Sequence, residues 1–432
     1  MFKPLSYKVP CRLNSTLSSK KLNFQSHELF FNSIKNNDTL QYLWTAPYSK
    51  PQPDEINAPS TVPIVLRTKP AVFKSVVDEN PKLSGLRLQI KQYTAYTKSV
   101  IHFYKVGIQN VWRNRRDVSA IKKKFYVESV DKHGQVIKRR FRNGEDLTNI
   151  LSNLKALQIV EQETLKKLDK TSILKISRQE YLKIIRTEQD FFKIPLFALI
   201  TLIFAEMTPV ICFIFPELAP STCVFPGLLK KKYNSATKAT HELSKIRKER
   251  YLDYYLKNET PFQSIYTIPN DELRLLVESL NLKSRYLPTN LYPISILQSR
   301  LKNHMTKIDI DNNFLINESL NNDGNYLWNV SKGELIRSCL ERGLIDFTKD
   351  DLYKLGSHDL KIRLLFHLSF WNEDKSMGNI SKFGINQIGL TGSGYFENVD
   401  NELAHKVYSW WQHDHKSEFE IEHSNHDNET VK

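Results

Sequence analysis

The chain has 432 residues, of which 40% are apolar and 25% charged, and its formal net charge is +15. A mean hydropathy of −0.44 means that most of it faces water, and the basic excess favours anionic partners such as a phosphate backbone, ribosomal RNA or acidic lipid. Four cysteines without a CxxC pair or zinc spacing argue against a disulfide framework and a structural zinc site, and are read as free thiols.

The first 27 residues lack Asp and Glu but carry Lys3, Lys8, Arg12, Lys20 and Lys21 among Ser and Thr. That composition, without an apolar core, predicts a mitochondrial transit peptide over 1–30. Prolines at 47, 51, 53, 59, 63, 70 and 81 predict a largely irregular linker over 31–85. From Leu86, apolar residues at helical spacing (Leu88, Tyr93, Tyr96, Val100, Phe103, Tyr104, Val111, Trp112) start a helical region over 86–192. Two β-prone runs flank a Gly-containing turn, so a small β-hairpin near 124–141 is expected, with a charged loop as the alternative. A helix follows over about 146–169. Ser177 with Glu180 three residues on forms a capping-box signature for the next helix.

Ile194–Phe215 is apolar apart from Glu206 and a few hydroxyls. As a straight helix its 22 residues reach about 33 Å, enough to cross a hydrocarbon core of about 30 Å, so 193–216 is read as one transmembrane helix. An acid at mid-span is costly unless it faces a polar interior or keeps its proton. Glu206, Thr208 and the helix breakers Pro195 and Pro209 are therefore the functional candidates in the span. They fit either a proton or ion path, which needs several chains and hence a homo-oligomer, or a neutral acid holding helices together.

Beyond the span, short helices are expected over 236–257, 270–280 (N-capped by Asn270), 292–306 and 314–320. Another opens at Ser331, with Glu334 in a capping box and Gly343 at its end, and a last one runs to Trp371. They predict an all-helical domain, followed by a mostly disordered tail over 373–432 with a short helix over 401–413. The stretch Asp309, Asp311, Asn313 begins like a calcium loop and then fails, because Phe314 and Leu320 replace the required Gly and Glu; an acidic interhelical loop is the reading that remains. The Gly-rich 389–394 stretch and the tail histidines carry no binding pattern, so no metal and no cofactor is expected. No nucleophile–base or paired-carboxylate motif is present, which argues against an enzyme. Recurrent basic clusters, including Lys230, Lys231, Lys232 and Lys245, Arg247, Lys248, Arg250, are candidates for ribosomal RNA or anionic lipid contact.

The order of these features resembles the Letm family of mitochondrial inner-membrane proteins. The resemblance rests on Pro195, Glu206, Pro209, Phe215, Pro216 and Pro220–Thr222 around the span, and downstream on Glu334, Leu335, Cys339, Arg342 and Gly343. It implies a single-pass inner-membrane protein with a matrix-facing, 14-3-3-like helical domain over 217–372 that binds mitochondrial ribosomes. The expected role is an adaptor supporting biogenesis of respiratory inner-membrane proteins; the alternative is potassium/proton exchange using Glu206.

Overall fold

A computed structural model describes residues 53–373 apart from 126, 131–135, 165–175, 205–206, 257–261, 263, 285–286, 322–325 and 353; it adds 385 and 388. The transit peptide, the tail helix over 401–413 and Glu206 lie outside the described residues. The fold is mainly helical.

The proline-rich stretch is more ordered than its composition suggests. It holds α1 (Pro53–Ile56), a 3-10 turn (Pro59–Thr61) and α2 (Lys69–Glu79). Pro59 and Pro70 sit in the first turn of their elements, where the missing N–H has no partner to lose and the fixed φ suits a helix start. Read as breakers, they act as starters.

α3 (Gly85–Lys124) is 40 residues long and packs on α2 and on α5. Gly107 lies inside it for a packing reason: a Cβ there would stand 2.5 Å from Cys223 Sγ. Two short strands follow, β1 (Val127–Val130) and β2 (Val136–Arg139), antiparallel with Val130 opposite Val136. Next come α4 (Gly144–Thr164) and α5 (Arg178–Phe191). The Ser177 side chain accepts from the Glu180 amide, and the Glu180 carboxylate accepts from the Ser177 amide, which closes the capping box.

The segment read as one span is two short helices, α6 (Ile194–Phe204) and α7 (Thr208–Ile214). At about 1.5 Å per residue they are roughly 16 and 10 Å long. Among the described residues no helix is long and apolar enough to cross a membrane.

After it come α8 (Pro226–Leu256), α9 (Asn270–Ser279), α10 (Ile294–Asn321), α11 (Lys332–Glu341) and α12 (Ser357–Glu373). Asn270 is the first helical residue of α9, and Pro269 holds the N-cap position. α11 ends on Gly343 at φ +69°, with the Leu344 amide donating back to the Cys339 carbonyl at 2.9 Å.

α10 corrects the acidic-loop reading. It is one continuous helix of 28 residues, and Asp309 and Asp311 lie inside it, buried. Leu297, Leu301, Met305, Ile308 and Leu315 face the main core formed by α8–α12, while Ile310 joins a second core with Val118, Leu147 and Tyr181. The helix is thus a wall between two cores, and the Asp311 carboxylate points at arginines of α5 and α11 rather than at water.

Candidate membrane-contact site

A third, smaller core gathers Phe103, Tyr104, Phe197, Cys212, Ala219, Cys223, Val224 and Leu228. The Tyr104 and Phe197 rings are 5.8 Å apart, and Cys212 lies close enough to the Tyr104 hydroxyl to help burial raise its pKa. In a straight helix, residues 197 and 212 would be about 22 Å apart. One tyrosine side chain reaches both only if the chain doubles back between them. α6 and α7 therefore form a hairpin whose base is buried against α3.

Much of the rest of the hairpin is bare, although Thr208 is buried. α6 exposes Leu196, Leu199, Leu202, Ile203 and Phe204; α7 exposes Val210, Phe213 and Ile214. Leu202 is 82% exposed. Such a contiguous apolar surface marks an interaction site, whereas a scattered exposed Leu would not.

Around the base lie aromatics and cations. Trp112 is half exposed and 6.1 Å from the Phe191 ring, Phe192 is exposed, and the Arg115 guanidinium lies 4.7 Å over Phe191. Lys231 Nζ sits 3.9 Å over the Phe213 ring and Lys230 is exposed. Lys232 is half-buried; burial first, then Lys193 and Arg337, lower its pKa to about 8, and Asp190 and Glu217 offset only part of that. The site thus combines apolar helix faces, an aromatic belt and a basic collar, the layering that suits a lipid interface.

The base is tied to the body by polar contacts. Asp190, at the end of α5, accepts the Ser221 amide at 2.9 Å, and its carboxylate also accepts a hydrogen bond from the Ser221 hydroxyl. Arg337 donates to Ser221 Oγ at 2.7 Å and to the Thr61 carbonyl at 2.8 Å. Thr222 donates to the Gly107 carbonyl at 3.0 Å.

Behind this lies a buried ionic network. Arg178, Leu182, Arg186 and Asp190 recur every four residues along one stripe of α5, and all four are buried. Arg178 donates to Asp311 Oδ1 at 2.7 Å, and Arg342 donates to Asp311 Oδ2 at 2.6 Å. Arg186 grips both oxygens of Glu334, at 2.7 and 2.5 Å. Burial alone would push the Asp311 carboxyl up, but Arg178 and Arg342 outweigh it and hold it far below the usual carboxylate range. The acids Asp190, Asp311, Glu334 and Glu341 balance Arg178, Arg186, Arg337 and Arg342, so the network is close to neutral.

Each sequence candidate now has a place. Pro195 is exposed in the first turn of α6, and Pro209 sits in the first turn of α7. Thr208 is fully buried, and its hydroxyl lacks a hydrogen-bond partner among the described residues. Lys230, Lys231 and Lys232 join the collar, but Lys245 lies about 22 Å further along α8. Arg247 is fully buried, 3.3 Å from Glu272, and Arg250 pairs with Asp271 at 2.9 Å; these two are structural ion pairs. The side chain of Lys248 lies outside the described residues. Glu334 faces Arg186 instead of closing a capping box, and Leu335 is core. The Cys339 thiol is buried and pushed up to about 12, which makes it unreactive. Arg178, Arg186, Asp190 and Arg337 were not singled out from the sequence; the four-residue spacing on α5 was the available signal.

Two histidines give a pH prediction. Burial lowers the pKa of His304 to about 4, although its ring nitrogen meets the Glu341 carbonyl at 2.8 Å; burial and Arg342 hold His367 well below its ordinary value. Unfolded histidine titrates near 6.5, so below that pH the unfolded chain binds more protons than the folded one. Stability therefore falls as pH drops from 6.5 towards 4. His304 alone contributes a loss of about 2 kcal/mol at pH 5. Thermal unfolding at pH 7 and pH 5 measures it, and a His304→Gln variant should show a smaller drop; equal stability at both pH values would contradict the burial argument.

Fold and site together define a mainly helical protein that presents an apolar hairpin within a basic collar. The family model of the pentamidine resistance factor domain matches residues 56–320, more than half of the chain, and the chain belongs to that family. One relative is the mitochondrial pentamidine resistance factor of Saccharomyces cerevisiae, 25% identical over 372 residues that cover 80% of this chain and 84% of that protein. No solved structure matches the chain.

This corrects the Letm reading. Proline and an acid within an apolar segment, and an Arg–Gly pair at a helix end, are general helix-end chemistry. Here Arg342 is accounted for by Asp311 and Gly343 by its positive φ. The 14-3-3-like domain, ribosome binding and potassium/proton exchange followed from that resemblance and lose its support. The relative's mitochondrial name agrees with the acid-free basic N-terminus and supports a mitochondrial location.

Proposed function

We propose that the protein is a non-enzymatic, membrane-attached mitochondrial factor, held at the inner membrane by its α6–α7 hairpin and contributing to the pentamidine resistance for which its yeast relative is named. The observation that carries this reading is the exposed apolar hairpin beside its aromatic and basic collar. Ribosomal RNA is also anionic, but RNA does not reward exposed apolar helix faces, whereas a bilayer does. Burying a fully exposed Leu, Ile or Phe contributes about 1.5–3 kcal/mol each. The charged side chains beneath the hairpin are engaged in ion pairs, Arg178 with Asp311 and Arg186 with Glu334, which supports a scaffold over a catalyst.

A Leu202→Asp/Ile203→Asp variant tests this. Both residues are exposed, so thermal stability should change by no more than about 0.5 kcal/mol. The variant should move from the membrane pellet to the supernatant on alkaline extraction, and cells depending on it should become pentamidine-sensitive. Retention in the pellet would remove the hairpin from membrane attachment.

A further inference from the structure

We infer that the hairpin enters and leaves one leaflet from the same side, with anionic lipid headgroups against Lys193, Lys230, Lys231 and Lys232, so that the chain does not cross the membrane here. This inference rests on the membrane attachment proposed above and specifies its geometry.

Connectivity points there first. α5, which leads into the hairpin, is bonded to residues on the far side of it in sequence. Asp190 holds Ser221 at 2.9 Å, Arg178 holds Asp311 at 2.7 Å, and Arg186 holds Glu334 at 2.7 Å. A single crossing would put α5 and α10–α11 on opposite faces of the bilayer and break all three pairs. It would leave several buried charges alone, each strongly unfavourable.

Reach agrees with connectivity. Phe197 and Cys212 share the core around Tyr104, so the chain turns back between them. α6 is about 16 Å long, about half of a 30 Å hydrocarbon core. That length suits one leaflet.

Charge places the headgroups. Lys193 precedes α6 directly, and Lys230–Lys232 open the helix that packs beside α7. Lys231 rests on Phe213, which puts its ammonium at the boundary between apolar and polar layers. Lys193, Lys230, Lys231 and Lys232 thus form a basic rim beside the hairpin, which a phosphate can neutralise. A phospholipid headgroup supplies that phosphate at the depth where the exposed apolar faces of α6 and α7 end.

The experiment uses the full-length protein. Cys11→Ser removes a background thiol outside the described residues, and Cys212, Cys223 and Cys339 are buried. Single cysteines are then placed at two exposed positions, Lys123→Cys before the hairpin and Glu249→Cys after it. In sealed mitoplasts a membrane-impermeant maleimide should give both the same result: both labelled, or both only after permeabilisation. Labelling of the two from opposite sides overturns the inference while leaving membrane attachment standing. Release of the chain by alkaline extraction instead overturns the attachment itself. Flotation of purified protein with vesicles gives the headgroup readout: binding should be at least tenfold stronger with a fifth of the phosphatidylcholine replaced by phosphatidylglycerol. Lys230→Glu/Lys231→Glu, folded by circular dichroism, should lose that difference. Equal binding to neutral vesicles, or association between hairpins of two copies in place of vesicle binding, overturns the headgroup assignment.

Discussion

An Arg186→Met variant is expected to lose about 3–5 kcal/mol of folding stability, measured by denaturant titration, because it leaves Glu334 charged and buried. Both side chains are at most 2% exposed. The other guanidinium near Glu334 is Arg178 at 3.6 Å, and it is already committed to Asp311 at 2.7 Å. Burial of an ion pair is not itself strongly stabilising, since desolvation offsets most of the attraction; the damage comes from removing one partner. The double variant Arg186→Met/Glu334→Leu, which removes both charges and keeps the volume apolar, should recover most of the loss. A double variant no more stable than Arg186→Met would show that the pair is not the source of the effect.

Asp311→Asn should be at least as damaging, again by about 3–5 kcal/mol at pH 7, because two buried arginines share that one carboxylate. Asp309→Asn, two residues earlier on the same helix, is the internal control. Its partner Lys155 is 32% exposed at 2.8 Å, so water screens the pair and the loss should stay near or below about 1 kcal/mol. The pH response separates them further. Asp311 has a depressed pKa, so its contribution is present above the unfolded carboxylate pKa of about 3.9 and fades as pH falls through the folded value. The Asp311→Asn variant should lose that acid-side slope below pH 4. Similar losses for the two substitutions would mean that burial does not control these pairs.

Much of the helical content was legible in the sequence, and the reasons are local. Ser177 and Glu180 announced their helix through a motif whose partners are three residues apart. Gly343 marked the end of α11 through its own backbone freedom. The α10 helix was misread because the polar run from Asp309 to Asn313 imitates a loop. Yet the apolar spacing Leu297, Leu301, Met305, Ile308, Leu315 continues through it, and that signal was available. What stayed hidden depends on partners far along the chain. Arg178 and Asp311 are 133 residues apart, and Arg186 and Glu334 are 148 apart. No spacing rule joins them. The hairpin was hidden for the same reason: the apolar run from Ile194 is long enough to cross as a straight rod, and it takes distant partners such as Tyr104 and Ser221 to show that it folds back.

The long reach of the arginine pairs also sets an order of events. Synthesis from the N-terminus delivers α5 well before Asp311 and Glu334. Until then Arg178 and Arg186 lack the acids they pair with in the folded protein. A chain stalled before residue 311 is an exposed greasy loop on an unfinished body, a substrate for quality-control proteases. Closure of these two buried pairs therefore has to await the C-terminal helices.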